Sequence, residues 1–238
     1  MHTLHRPLFR PRSNRGFTLV ELLIAVLLAA FLLGGLFAIV QSNRRAFTTQ
    51  STLSQQEDSE RFAMTVLADV IQHAGFYNNP LVSTLSSAFP AAGAFANAAQ
   101  TVTGTAGGAQ GDTITVRYVA GPADALLNCD GSTTAPNGTW TNQFSVNGSN
   151  QLVCSVNGAT AVPLVDGVTG MTVTYGVHTT GGTSTNVDTY IPAAQMVAAN
   201  WPNVSSVVIT LTFTNALATS AAQQTVSLTR TIAIQGKV

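Results

Sequence analysis

Charged residues are scarce in this sequence. Only 8% of its 238 residues are charged, the 10 basic and 10 acidic residues cancel, and 45% are hydrophobic. A chain this apolar is not disordered throughout, because disordered chains are poor in apolar residues and rich in charge. A nucleic-acid-binding function is not expected either, since no basic stripe could form outside the N-terminus.

Histidines are few, and none has the neighbours that catalysis requires. A general base needs an orienting acid and a nucleophile nearby, and no GxSxG motif or comparable context occurs. We expect His73 to pack beside a hydrophobic helix face, and His178 lies at the end of a predicted strand. The other two histidines, His2 and His5, lie in the first segment of the chain. The sequence therefore predicts no catalytic residue.

Phosphate-binding and metal-binding loops are also missing. The glycine-rich segment 104–111 has neither GxGxxG spacing nor a following Lys-Ser/Thr, so we expect a linker. Asp130, Asp166 and Asp188 could bind calcium from loops, but no DxDxDG array is present. Asp130 and Asp166 each precede a glycine, a pair that is typical of a turn. We therefore expect no metal and no cofactor.

The longest apolar run extends from Phe17 to Val40 and is interrupted only by Thr18, Glu21 and the glycines at 34–35. As a helix these residues would extend ~36 Å, enough to cross a bilayer core of roughly 30 Å. Four arginines precede the run and two follow it, which places the N-terminus in the cytoplasm by the positive-inside rule. They are Arg6, Arg10, Arg12 and Arg15 before the run and Arg44 and Arg45 after it. The rest of the chain would then be exported.

The two cysteines, Cys129 and Cys154, lie in this exported part. They lack CxxC spacing and neighbouring histidines, so they predict no zinc site. An even number of cysteines in an oxidising compartment suggests one disulfide, which would close a ~26-residue loop and contribute roughly 3 kcal/mol of stability. Two reduced, buried thiols are the alternative.

The N-terminal run does not fit an ordinary secretory signal, whose apolar region has about 7–15 residues. It also contains Glu21, and a carboxylate in a membrane helix costs about 2.5–3.5 kcal/mol at mid-bilayer and less near an interface. Such a residue is usually functional, and its natural partner would be a positive charge supplied by another molecule.

The segment RGFTLVELL resembles the class III signal of type IV prepilins. This resemblance implies cleavage by a prepilin peptidase between Gly16 and Phe17, followed by N-methylation of the Phe17 amine. It also implies that Glu21 acts in subunit assembly by pairing with the N-terminal amine of a neighbouring subunit. An uncleaved signal anchor is the alternative.

A single helix is predicted to continue beyond the apolar run. No proline occurs between Gly16 and Pro80, and apolar residues repeat at helical spacing from Phe62 to Ala74. Gly75 offers a helix stop. We therefore divide the N-terminal part into a leader (1–16), a transmembrane or filament-core helix (17–40) and an amphipathic continuation (41–76).

The rest of the sequence, from residue 77 onward, predicts an Ala/Gly/Thr-rich loop over 77–111 and an exported β domain over 112–238. Period-two alternation indicates strands, and Asn147-Gly148 and Asn157-Gly158 are typical of hairpins. A short helix is predicted between Pro192 and Trp201. Strands that follow one long helix indicate an α+β fold, with an antiparallel sheet packed on the amphipathic half of the helix. The predicted strands cover 112–119, 144–148, 152–156, 161–165, 171–177, 207–213 and about 226–234.

Several segments resemble the PilW family of minor type IV pilins. They are the QEDSERFAMTVLADVIQHAGFY helix, the GDTITVRY strand, the paired cysteines with a hairpin between them, PLVDGVTGMTVTYGV, and a tryptophan before a valine-rich strand. The resemblance implies a pilin-like fold and a subunit that primes pilus assembly or lies at the pilus tip. It implies an inner-membrane protein with a cytoplasmic N-terminus and a periplasmic domain that later reaches the cell surface. The implied partners are the prepilin peptidase, other minor pilins, the major pilin and, as a further candidate, a tip adhesin.

Two alternative functions remain at this point. A minor pseudopilin of a type II secretion system would share the same N-terminal helix. The exported domain could instead be a binding or adhesion module. DNA is an unfavoured ligand, because few cations follow the apolar run. They are Arg44, Arg45, Arg61, Arg117, Arg230 and Lys237.

Overall fold

The computed structural model describes residues 16–179, 186–220 and 223–236. The chain forms two compact units, which meet between Ser51 and Thr52. The predicted leader lies outside the described residues except for Gly16, and the predicted cation Lys237 lies outside them as well.

The first helix, α1 (Leu19–Gln72), contributes to both units. In the first unit every described residue is exposed to solvent, as expected for an apolar run that has no protein surface to pack on. In the second unit α1 buries one face, formed by Ala63, Met64, Leu67, Ala68, Val70 and Ile71. This spacing is the one that brings side chains to a single side of a helix.

The end of α1 falls close to the predicted glycine stop. Gly75 has a φ of +84°, a conformation that glycine adopts without steric cost. Its N–H donates to the carbonyl of Arg117 at 2.9 Å, so the end of the helix is attached to the sheet.

The second unit contains a sheet of nine strands that packs on the buried face of α1. The strand order is β5-β4-β3-β2-β6-β8-β9, with β1 paired to β2 and β7 paired to β6. The α+β prediction is therefore confirmed. The strands are β1 (Val102–Gly108), β2 (Gly111–Ala120), β3 (Gly138–Val146), β4 (Gln151–Val156), β5 (Val162–Asp166), β6 (Val168–Val177), β7 (Thr189–Pro192), β8 (Val204–Thr214) and β9 (Thr225–Ala233).

The sheet is mixed rather than purely antiparallel. Neighbouring strands are antiparallel except β2 and β6, which meet in parallel at Gly111 and Met171. The chain order explains this exception, because four reversals of direction separate β2 from β6 and return the chain to its original direction.

The segment 77–111 is not simply a loop. It contains a short helix, α2 (Leu85–Ala88), and strand β1, which pairs with β2. The glycines in β1 hide its strand pattern, yet one of them is required: a Cβ at Gly104 would overlap the Tyr175 hydroxyl and the Thr113 carbonyl. A single short helix was predicted between Pro192 and Trp201. The structure has two 3-10 helices there instead, Ala193–Gln195 and Ala198–Asn203.

Both predicted hairpins are present, but their turns differ. Asn157 and Gly158 have φ values of +51° and +73°, the left-handed pair that a tight two-residue turn requires. In the β3–β4 hairpin the left-handed residue is Asn150, at +57°, rather than Gly148. There the Asn147 side-chain oxygen accepts from the N–H groups of Ser149 and Gln151, each at 3.0 Å, and so stabilises a longer loop.

Candidate functional site

The predicted cleavage position lies in exposed chain without regular secondary structure ahead of α1. Gly16, Phe17 and Thr18 precede the first helical residue, and the Phe17 side chain is 84% exposed. No atom lies within 4 Å of where a Cβ on Gly16 would be. A protease can therefore approach this peptide bond without unfolding any helix.

Thr18 and Glu21 form a capping box at the start of α1. The Glu21 N–H donates to the Thr18 hydroxyl oxygen at 3.3 Å, and the Glu21 carboxylate accepts from the Thr18 hydroxyl at 3.4 Å and from the Thr18 N–H at 3.5 Å. These bonds satisfy N–H groups that the first turn of a helix otherwise leaves unpaired. The sequence reasoning did not identify this role, although T-x-x-E before an apolar run is its signal.

The Glu21 carboxylate is bound only loosely within its own chain. Its hydrogen bonds are long, and both Thr18 and Glu21 are exposed. A carboxylate held by long, exposed bonds to neutral donors can exchange them for shorter bonds to a cationic donor, since N–H donors that carry a charge bond carboxylates at about 2.7–2.9 Å.

The apolar run presents a continuous hydrophobic surface. Every large hydrophobic side chain from Phe17 to Val40 is at least 40% exposed, and α1 is long and apolar enough to cross a membrane. No charged residue occurs between Glu21 and Arg44. A surface of this extent marks a membrane or protein interaction site, because soluble monomers rarely expose large contiguous apolar patches.

The predicted disulfide between Cys129 and Cys154 is present. The two Cα atoms lie 6.1 Å apart, and both residues are buried. The bond connects the loop between β2 and β3 to strand β4. It therefore stabilises the β-sheet part of the second unit.

A buried polar network, which the sequence reasoning did not identify, surrounds the disulfide. Asn142 accepts a hydrogen bond from the N–H of Cys129 at 2.8 Å and donates to the Tyr118 hydroxyl at 3.0 Å and to Asn128 at 3.1 Å. The Tyr118 hydroxyl in turn donates to the Asn128 side-chain oxygen at 2.8 Å. Burial raises the pKa of Tyr118 to about 12, because the phenolate would lose its hydration.

Arg117 is buried, contrary to its prediction as one of the cations available after the apolar run. Only 3% of the residue is exposed, because the segment 89–100 covers it on the face of β2 opposite Val116 and Tyr118. Its guanidinium donates to the carbonyls of Gln100 at 2.7 Å, Pro90 at 2.8 Å and Phe89 at 3.3 Å. Its charged carbon also lies 4.3 Å from the centre of the Phe95 ring. Burial lowers the pKa of Arg117, and the side chain fixes the segment 89–100 to the sheet.

The remaining candidate groups are scattered across turns. The Asp130 carboxylate accepts from the N–H of Ser132 at 2.9 Å, and Asp166 accepts from the side-chain amide of Gln151 at 2.7 Å. His178 lies 3.3 Å from Asp188, and Asp188 also accepts from the Thr179 N–H. Within the residues that the structure describes, no group of three or more His, Cys, Asp or Glu side chains could hold a metal ion.

Two family models match this chain. Residues 140–237 match the model described as type IV pilus-assembly protein W, and residues 11–37 match the prokaryotic N-terminal methylation motif. The second match contains Gly16, Phe17 and Glu21. No curated protein and no solved structure matches the chain.

Proposed function

We propose how this chain, a PilW-like minor type IV pilin involved in pilus assembly, is processed and incorporated into its filament. Pilin family membership implies processing by a prepilin peptidase and interaction with other pilus components. The prepilin signal and the apolar helix support membrane anchoring and pilus association. The specific residues, orientation and partners below are our proposals.

The prepilin peptidase would cleave between Gly16 and Phe17, and the new Phe17 amine would then be N-methylated. The exposed, non-helical chain ahead of α1 supports this proposal, because a protease can reach this bond without unfolding the helix. Gly16 adds flexibility at the cleaved position without a side chain. Residues 1–16 would thus be the leader that processing removes.

Glu21 would pair with the N-terminal amine of a neighbouring subunit. The single observation that carries this proposal is the position of Glu21, an exposed carboxylate at the start of an apolar surface with no other charge before Arg44. In a filament core that excludes water, an unpaired carboxylate is costly, whereas a pair with an amine fixes the register between subunits. On assembly, the Glu21 carboxylate would exchange its long hydrogen bonds to Thr18 for an ion pair with this amine.

The N-terminus would lie in the cytoplasm and the domain from residue 112 in the periplasm, as the arginine distribution favours. Residues 17–40 would cross the inner membrane before assembly and line the filament core afterwards. Residues 41–76 would then carry the exported domain outside the membrane.

The exported domain would contact other minor pilins, the major pilin and a tip adhesin, either in a priming complex or at the pilus tip. We propose a non-catalytic role for it, since the pilin family matches indicate a structural protein. The disulfide and the Arg117 contacts support this role by stabilising a domain that must persist outside the cell.

Replacement of Glu21 tests the proposal. Glu21→Gln keeps the size and hydrogen-bonding capacity of the side chain but removes its charge. We expect cleavage after Gly16 to proceed as in the wild type, and incorporation into sheared filaments to fall at least about tenfold, which corresponds to about 1.4 kcal/mol. Asp58→Asn, which likewise turns a carboxylate on an exposed part of α1 into its amide, is the matched control. Normal incorporation of Glu21→Gln would contradict the assigned role.

A further inference from the structure

Strand β9 forms an open edge of the sheet. It pairs with β8 in unbroken register from Thr225 opposite Thr214 to Ala233 opposite Ser206. In an antiparallel ladder, alternate residues direct their N–H and C=O groups away from the partner strand. Among the residues that the structure describes, no strand and no backbone hydrogen bond covers this outer side of β9.

The opposite edge of the sheet, β5, is protected against pairing. It has five residues, includes Pro163 and ends at Asp166, and its register with β4 is broken between Leu152 and Val153. Short length, proline, charge and irregularity are the devices by which proteins prevent edge-to-edge association. The protein therefore blocks one edge of its sheet.

Of these devices strand β9 has only a charge. It has nine residues, no proline, no break in register, and Arg230 as its single charged residue. Its hydroxyl side chains form a regular row, in which Thr229 contacts Thr210 at 2.7 Å and Ser227 contacts Thr212 at 3.2 Å. Threonine and β-branched residues favour extended pairing, so β9 is preformed to accept another strand.

A groove of about 370 Å³ runs between β9 and α1. Met64 and Leu228 give the groove apolar walls. It is also lined by two acidic and two basic residues whose charges cancel: Glu57, Glu60, Arg61 and Arg230. A strand added to β9 would direct alternate side chains toward this groove, which suits apolar residues interspersed with charges of both signs.

We infer that the outer edge of β9 is a strand-pairing site for an edge strand of a neighbouring pilin subunit. The inference rests on the proposed function, since assembly is what brings a second pilin next to this edge. The occupant follows from the chemistry of the edge: alternating unpaired backbone donors and acceptors are satisfied by an extended chain and not by a helix. The balanced charges of the groove suit another pilin domain rather than an anionic polymer.

Photo-crosslinking in cells that assemble filaments tests the pairing. A benzoylphenylalanine is placed at Thr229 on the open edge or, as the matched control, at Val162 on the protected edge. Both residues are exposed. We expect the Thr229 probe to form an adduct with another pilin, a second copy of this chain included, in at least about fivefold greater yield than the Val162 probe. Equal yields, no adduct at Thr229, or an adduct with a protein other than a pilin would overturn the inference.

A proline scan over residues 226–231 provides the second measurement. Proline removes one N–H, so positions that face β8 should lose stability, while positions that face outward should keep a near-normal unfolding temperature and lose the adduct. The expected result is therefore an alternation with a period of two. If no stable proline variant loses the adduct while Glu21→Gln still loses incorporation, the pairing site is wrong and the proposed function stands.

Discussion

Arg117 shows how one buried charge can organise a segment of little intrinsic structure. The segment 89–100 forms neither a helix nor a strand, and two of its carbonyls accept bonds from Arg117 shorter than 3 Å. Because a guanidinium presents five donors in a planar fork, one side chain can satisfy several carbonyls that lie around its plane.

Arg117→Met should destabilise the second unit by about 2–4 kcal/mol, because the carbonyls of Gln100 and Pro90 would be left buried without a donor. Thermal unfolding of the full chain in detergent measures the change. Arg230→Met is the control, since Arg230 is exposed and makes one longer bond, 3.4 Å to the Met64 carbonyl. Equal effects of the two substitutions would contradict the role of Arg117.

The Tyr118 hydroxyl gives the domain a sensitivity to alkaline pH. Its pKa rises from an ordinary value of 10 to about 12 in the folded protein because of burial. Between these values the unfolded chain binds fewer protons than the folded one, so stability is fully present below pH 10 and falls as the pH rises toward 12. Burial also raises the pKa of Tyr175, which adds to the same trend.

Tyr118→Phe should therefore lower stability at neutral pH, because Asn128 and Asn142 lose a partner, and should also flatten the decline above pH 10. Unfolding temperatures recorded from pH 8 to pH 11.5 separate the two effects. An unchanged slope in the variant would show that Tyr118 is not the group responsible.

At the scale of elements, the disulfide connects the loop after β2 to strand β4 across a sequence separation of 25 residues. Closing a loop of this size contributes about 3 kcal/mol through the entropy of the unfolded chain. For a chain of this length, that corresponds to roughly 6–12 °C in unfolding temperature.

Reduction should lower the unfolding temperature of the wild type by that amount. The double variant Cys129→Ala/Cys154→Ala should unfold at the same lowered temperature with or without reductant. A wild-type protein that is indifferent to a reductant, under conditions where mass spectrometry confirms free thiols, would contradict the stabilising role.

The elements that the sequence predicted well are those in which apolar residues repeat at a regular spacing. The helix α1, the strands from β2 to β9 except β7, and the cysteine pair were all predicted, because apolar periodicity, Asn-Gly turns and cysteine number are local signals. Strand β1 was not predicted, since its glycines carry no hydrophobic pattern and its existence depends on pairing with β2. The parallel contact between β2 and β6 is likewise a property of chain order rather than of any local segment.

The residues of the candidate site likewise fall into those that the sequence could predict and those that it could not. Gly16, Phe17 and Glu21 lie in one contiguous motif, so the sequence could propose them together, and they remain proposals. The capping box of Thr18 and Glu21 had a sequence signal that was not used. The buried position of Arg117 and the network around Tyr118 could not be predicted, because they join residues from distant loops through side-chain contacts.

At the scale of the whole molecule, the protein combines an apolar surface at its N-terminal helix with a sheet that has one protected and one open edge. Both features are unfavourable in an isolated soluble protein. Both are explained if the chain is held in a membrane before it becomes one subunit of a filament, where neighbouring subunits would cover them.

Quantitative mass spectrometry of filaments sheared from cells tests this account most directly. We predict a small and reproducible fraction of this protein relative to the most abundant pilin, together with a peptide that begins at methylated Phe17. Dominance in the filament would make it the shaft subunit instead. Absence from surface filaments, with the processed protein left in the envelope, would contradict its place as a minor pilin of the assembled pilus.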